Sequence, residues 1–216
     1  RSRIVESAER LRRARNAIDA GAADFICVHA AVSPAGYVSL AAGALRELPE
    51  EVAIHALKRL LRAIGGQRRA PRLRKLEMLA AQLRAELEAP TTLGGCVIAP
   101  EGEKLLICRE PGRLRAAPLT LGSGETAIWD RRFRVTCGAL ARPLCIDALG
   151  ERNLAVLPQA VRKKHPAPAL ASLPALYAEG YLLGVPVAGF ALVEQHPDAM
   201  ACTAEFIWRN ISTGHA

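Results

Sequence analysis

The feature that most restricts the fold is a change of hydrophobic period at Pro90. Ahead of it, apolar residues recur three and four apart; behind it they fall into short runs separated by Gly, Pro and Asp. From Arg3 to about Ala31, Val5, Ala8, Leu11, Ala14, Ala17 and Ile18 mark one face of an amphipathic helix. Ser33-Pro34-Ala35-Gly36 ends it, and Tyr37-Val38-Ser39-Leu40 is a short extended or turn segment. Leu48-Pro49-Glu50-Glu51 opens a second helix, with acids where the N-terminal dipole favours them. Its stripe, Ile54, Leu57, Leu61 and Ile64, runs to Gly65-Gly66, a pair that tolerates the left-handed conformation of a helix stop. A third helix starts near Pro71, and Leu73, Leu76, Leu79, Ala80, Leu83 and Leu87 mark its core-facing stripe.

Past Pro90, residues 91–98 and 104–109 are strand-like runs joined by the turn Pro100-Glu101-Gly102-Glu103. A second pair, residues 126–129 and 133–136, flanks Asp130-Arg131-Arg132, and a third lies around residues 177–183. Residues 153–157 lead into a short helix over 158–164. The expected class is α+β: an N-terminal small helical domain, residues 1–89, followed by a mainly β domain with one or two short helices, residues 90–216.

The net charge of +8 is concentrated in the first part, where residues 1–90 carry sixteen Lys/Arg against ten Asp/Glu. Such an excess raises the local concentration of polyanions. Its densest stretch is Val52 to Leu76, where Lys58, Arg59, Arg62, Arg68, Arg69, Arg72, Arg74 and Lys75 occur with no Asp or Glu. On a helix, His55, Lys58, Arg59 and Arg62 group opposite the apolar stripe, a face suited to a phosphate backbone or simply to solvent. Arg131, Arg132 and Arg134 form a second basic cluster beside Trp129 and Phe133. Cations next to aromatic rings can clamp single-stranded bases, while the plainer alternative buries both rings beneath an Arg-lined surface. The run Arg162-Lys163-Lys164-His165 reads as a helix C-terminus whose cations complement its dipole.

Nothing in the sequence supports catalysis. Gly122-Ser123-Gly124-Glu125 lacks the Lys-Ser/Thr of a phosphate loop and reads as a flexible turn, and Gly94-Gly95 allows a bulge or close backbone packing. The five histidines sit at no catalytic spacing, and the six cysteines form no Cys-x-x-Cys pair. Reduced, mostly buried thiols are expected, with no catalytic residue, metal or cofactor in this chain. No apolar run of about eighteen residues occurs, so the expectation is a cytoplasmic protein without a membrane partner. The chain opens on Arg1 within helix-like sequence and reads as a piece of a longer protein.

Several segments carry a more specific resemblance: Gly36-Tyr37-Val38, Pro49-Glu50-Glu51-Val52-Ala53, residues 57–66, Pro71-Arg72-Leu73, Thr91-Thr92-Leu93-Gly94-Gly95-Cys96, Cys108-Arg109-Glu110-Pro111, Trp129-Asp130-Arg131-Arg132-Phe133 and Leu173-Pro174-Ala175-Leu176. Together they resemble the C-terminal portion of alphaproteobacterial tRNA(Ile)-lysidine synthetases, over about residues 1–190. The resemblance implies a PP-loop ATP-dependent ligase that adenylates the wobble cytidine of the isoleucine tRNA with a CAU anticodon, after which lysine displaces AMP to give lysidine. The family's catalytic domain is N-terminal and carries a Ser-Gly-Gly-x-Asp-Ser loop that this sequence lacks, so ATP and Mg are expected only in that domain. The implied partners are the CAU-anticodon isoleucine tRNA and the chain's own catalytic domain, and the eleven cations of the first two clusters are the candidate tRNA contacts. The second reading is a structural or dimerisation domain, forming a homodimer or ordering the catalytic domain without touching tRNA. One departure from the family pattern is Arg131, where a Gly after the Asp is expected; it predicts a longer or different turn.

Overall fold

In the computed structural model, which describes residues 3–191 and 197–208, the first half is helical but not exclusively so. Helix α1 (Arg3–His29) leads into the hairpin β1 (Ala30–Ser33) and β2 (Tyr37–Ala41), then α2 (Ala42–Arg46), α3 (Glu50–Ile64) and α4 (Leu73–Arg84). Strands β3 (Thr91–Leu93), β4 (Cys96–Glu101), β5 (Lys104–Arg109), β6 (Leu119–Leu121), β7 (Thr126–Trp129), β8 (Phe133–Cys137) and β9 (Leu144–Ala148) follow. Two short helices, α5 (Gln159–Lys164) and α6 (Ala167–Ala171), precede β10 (Pro174–Ala178), β11 (Tyr181–Val185), β12 (Phe190–Ala191), α7 (Pro197–Met200) and β13 (Cys202–Phe206). The class is α+β, as expected. His196 and His215 lie outside the described residues.

Three antiparallel sheets result, ordered β1-β2-β5-β4-β3, β12-β11-β10-β9-β6 and β13-β8-β7. The first crosses the boundary expected at Pro90, because β2 pairs with β5 in the register Val38↔Ile107 and Leu40↔Leu105. The segment at residues 37–40 is thus an inner strand of that sheet. Alternation sends Val38, Leu40, Ile98, Leu105 and Ile107, all at most 2% exposed, to the side where α3 packs. A single hydrophobic cluster joins Leu57 and Ile64 of α3 to Phe133 of the third sheet and to Ile146 and Leu176 of the second.

Helix α3 forms as its sequence dictates. Glu50 and Glu51 occupy its first turn; Ile54, Leu57, Leu60, Leu61 and Ile64 are buried; Gly65 caps it and Gly66 takes φ +60°. Helix α1 also forms, but its apolar stripe is not buried along its length. Val5 is 46% and Leu11 73% exposed, and only Ala22, Ala23, Phe25 and Ile26 enter the core. The cause is length: 27 residues extend about 40 Å against about 22 Å for the 15 of α3, so α1 overhangs its partner. Leu73, expected in the core, is 58% exposed at the start of α4, while Leu76, Leu79, Ala80 and Leu83 are buried.

The run at residues 91–98 is two strands rather than one, because Gly94-Gly95, expected to allow a bulge or close packing, forms a hairpin turn. Gly94 (φ +63°) and Gly95 (φ +75°) turn β3 into β4, and the same tight turn lets the carbonyl of Gly94 rest against Gly65. The β7–β8 hairpin corrects an expectation. The turn stays tight without glycine: Asp130 (φ 44°) and Arg131 (φ 59°) both adopt left-handed conformations, and Arg132 N donates to Trp129 O at 3.1 Å. Two non-glycine residues there cost about 1–2 kcal/mol each, which the contacts of Asp130 offset.

The thiols are free. Cys96, Cys108, Cys137 and Cys202 are buried, and Cys27 is exposed. Burial, the largest influence, pushes the Cys96 thiol up to about 12, and its Sγ donates to Leu61 O at 3.5 Å. Cys137 and Cys202 face one another across β8 and β13 with Sγ atoms 3.1 Å apart.

A methyl group added at Gly65 collides with the Gly94 carbonyl, whereas one at Gly43 in α2 meets nothing within 4 Å. Gly65→Ala therefore destabilises the fold by about 3 kcal/mol, and Gly43→Ala stabilises it by about 0.4–1 kcal/mol, as read from urea denaturation midpoints.

Candidate nucleic-acid interface

At the centre of the molecule, Asp130 joins two buried guanidinium groups. Its carboxylate accepts from Arg109 Nε at 3.0 Å and from Arg132 Nε at 2.7 Å, with Arg109 and Arg132 side chains only 2% and 0% exposed. Other donors of the two groups reach backbone carbonyls. Arg109 Nη1 donates to Gly95 O at 2.9 Å, Arg109 Nη2 to Arg113 O at 3.0 Å, and Arg132 Nη2 to Ser172 O at 2.9 Å. Burial, the dominant influence, lowers the Arg132 pKa from its ordinary value, and the adjacent Asp130 opposes that shift. Arg132 also stacks on Phe133, its Cζ 5.0 Å from the ring centroid. Among the described residues, Arg132 Nη1 and Trp129 Nε1 are buried without a hydrogen-bond partner.

This cluster explains why the family-like segments are spaced as they are. Gly66 abuts Asp130, where a Cβ would lie 2.6 Å from its carbonyl oxygen, and a Cβ on Gly95 would lie 2.6 Å from Arg109 Nη1. Gly36 abuts Phe133 and Arg132 in the same way. Segments far apart in sequence are thus gathered around one carboxylate.

Directly outside the cluster lies an open cleft of about 620 Å³. One wall is the α3–α4 connection with Gln67, Arg68 and Arg69; another is the hairpin tip with Ile128, Trp129 and Arg131; the third is the segment with Arg115, Ala117 and Leu119. Arg109 and Asp130 line its base. Arg68, Arg69, Arg115 and Arg131 are exposed, and among the described residues no carboxylate lies in salt-bridge range of any of them. Asp130 is already committed to Arg109 and Arg132, so the cleft presents uncompensated positive charge.

The eleven candidate cations therefore separate. Arg68, Arg69 and Arg131 converge on the cleft, from both of the clusters legible in the sequence. Arg62, Arg72, Arg74 and Lys75 are exposed and Lys58 half-buried, outside the cleft. Arg132 is corrected: it lies inside the protein, bonded to Asp130 and Ser172, and has no surface to offer a ligand. Arg134 is exposed but pairs with Glu205 of β13 at 3.1 Å. Arg59 is not without a counter-ion either, since Arg59 Nη2 and His55 Nδ1 lie 3.1 and 2.9 Å from Asp19 Oδ1 of α1. Trp129 and Phe133 take the plainer alternative and are buried, at 1% and 0% exposure. Sequence reasoning missed Arg115 and Ile128; the first belongs to no dense cluster and the second is a lone apolar residue in a strand.

Comparison with known proteins gives relatives of one kind. The chain is 31% identical to the tRNA(Ile)-lysidine synthase of Ruegeria pomeroyi over 193 residues, covering 88% of this chain and 43% of that protein. It is 31% identical to the one from Wolbachia pipientis over 125 residues, 55% of this chain and 28% of that protein. With the one from Rickettsia bellii it shares 39% over 88 residues, 40% of this chain and 20% of that protein. The chain thus spans less than half the length of these relatives. No family model matches it.

Two stability predictions follow from the charges. Asp130→Asn leaves two buried guanidinium groups without their counter-charge and costs about 3–5 kcal/mol in urea denaturation, whereas Glu205→Gln, which removes an exposed pair, costs no more than about 1 kcal/mol. Asp19 supplies a pH dependence. Burial raises its pKa, but the His55 hydrogen bond and the Arg59 charge outweigh this and hold it below 3.8. A depressed carboxyl contributes stability that is full above 3.8 and lost as pH falls through the folded value. The stability gap between the native chain and Asp19→Asn is therefore full above 3.8 and closes as pH falls through the depressed folded value, in urea denaturation repeated across pH.

Proposed function

We propose that this chain is the tRNA-holding, C-terminal part of a tRNA(Ile)-lysidine synthetase. The ligase uses ATP and lysine to convert the wobble cytidine of the CAU-anticodon isoleucine tRNA to lysidine, with the PP-loop chemistry in a separate N-terminal domain. The observation that carries the reading is the convergence of Arg68, Arg69 and Arg131, from segments about sixty residues apart, on one cleft in which no carboxylate is left free among the described residues. Arginine forks suit phosphate oxygens, and charge of this density draws a polyanion from solution. The similarity to tRNA(Ile)-lysidine synthases over 88% of the chain supports the choice of tRNA over other polyanions.

A second reading is favoured by α1, whose Ile4 and Leu11 are 80% and 73% exposed. Apolar residues repeated on one helix face suit a protein partner, and the chain's own catalytic domain is the occupant this reading assigns. The two readings concern different surfaces, and this one requires no contact with tRNA.

The test is the affinity of this chain for the CAU-anticodon isoleucine tRNA over a salt series. Binding should weaken steeply with salt, and the combined Arg68→Ala, Arg69→Ala and Arg131→Ala variant should lower the log-log salt slope by about 2–3. Absence of binding, or binding unaffected by these changes, overturns the reading and leaves the chain as a scaffold. Leu11→Glu should not change tRNA affinity.

A further inference from the structure

Resting on the tRNA-holding reading, we infer that the cleft between the α3–α4 connection and the β7–β8 tip receives one unpaired nucleotide of the RNA. Its nucleobase lies against the apolar residues of two walls, Ile128 and Leu119, and its phosphate sits among the rim arginines. A site that held only the backbone of a duplex would need cations and polar donors. This cleft adds an apolar surface between them: Ile128, 49% exposed on β7, with Leu119 and Ala117 beside it. A base still paired and stacked in a helix presents edges rather than faces, so it leaves that surface uncovered. A splayed-out base covers it with its face, while Gln67 supplies an amide for the base edge.

Size and rigidity agree. The cleft's volume of about 620 Å³ falls in the range of roughly 300–1,000 Å³ that holds single small ligands. Its base is built on the Arg109–Asp130–Arg132 cluster, which fixes the hairpin tip before any ligand arrives and so limits the ordering cost of binding. The planar guanidinium groups of Arg68, Arg69, Arg115 and Arg131 can stack on a base as well as bind phosphate. Because Asp130 is neutralised from within, no carboxylate among the described residues is left to repel a phosphate there.

The experiment compares a blunt twelve-base-pair RNA duplex with the same duplex carrying a one-nucleotide 3′ overhang, titrated against this chain. The overhang should improve affinity about ten-fold or more. Ile128→Ser, checked for native melting, should reduce that preference to near unity, and Leu73→Ser, at an exposed apolar position outside the cleft, should leave it intact. Equal affinity for both RNAs, or a preference that survives Ile128→Ser, overturns this inference and leaves the tRNA-holding reading standing. Failure of both RNAs and of the isoleucine tRNA to bind overturns the two together.

Discussion

The buried bonds from Arg109 and Arg132 to Asp130 are the constraint on which the other parts depend. Two guanidinium groups and one carboxylate are withdrawn from water, and such groups are tolerated when the charges are paired and most of the donors are bonded, here, among the described residues, all but Arg132 Nη1. Here the satisfaction comes from backbone carbonyls of three separate segments, at Gly95, Arg113 and Ser172. The bonds therefore specify where those segments must lie. Glycine stands at positions 36, 65, 66 and 95 because the backbone there passes against the cluster, or against a turn that serves it, too closely for a side chain.

The same arrangement shapes the surface above it. The two left-handed residues of the β7–β8 tip are held because Asp130 is anchored from below, and that conformation presents Arg131 outward while Arg132 turns in. Asp130, the one carboxylate lining the cleft among the described residues, is consumed, and the rim arginines keep their charge for a ligand. Fold stability and surface electrostatics thus share one group of residues.

The helices were legible because their stripes repeat at the helical period, and α3 begins and ends where Pro49 and Gly65 place it. The hairpins β4–β5, β7–β8 and β10–β11 were legible from their turn residues, whereas β1–β2 and the β3–β4 turn at Gly94-Gly95 were not. What escaped were facts about partners. The stripe on α1 has the right spacing but overhangs the shorter α3, and spacing carries no information on a neighbour's length. Asp19 and Arg59 lie 40 residues apart, so a count of local charges mistakes a paired arginine for a free one. The extended run at residues 37–40 joined a sheet in which β3, β4 and β5 lie past Pro90, and its pairing with β5 is one no local pattern displays.

By itself, the sequence determined the class, the positions of most elements, the excess of positive charge in the first ninety residues and a resemblance to lysidine synthetases. These are local or compositional properties, set by periodicity and residue type. Only the tertiary structure decided which arginines face water. Arg131 and Arg132 are adjacent and chemically identical, yet one lines the cleft and the other is wholly buried. The difference comes from the direction in which a tight turn projects each side chain and from a carboxylate within bonding distance of one of them, both fixed only once distant segments are packed together.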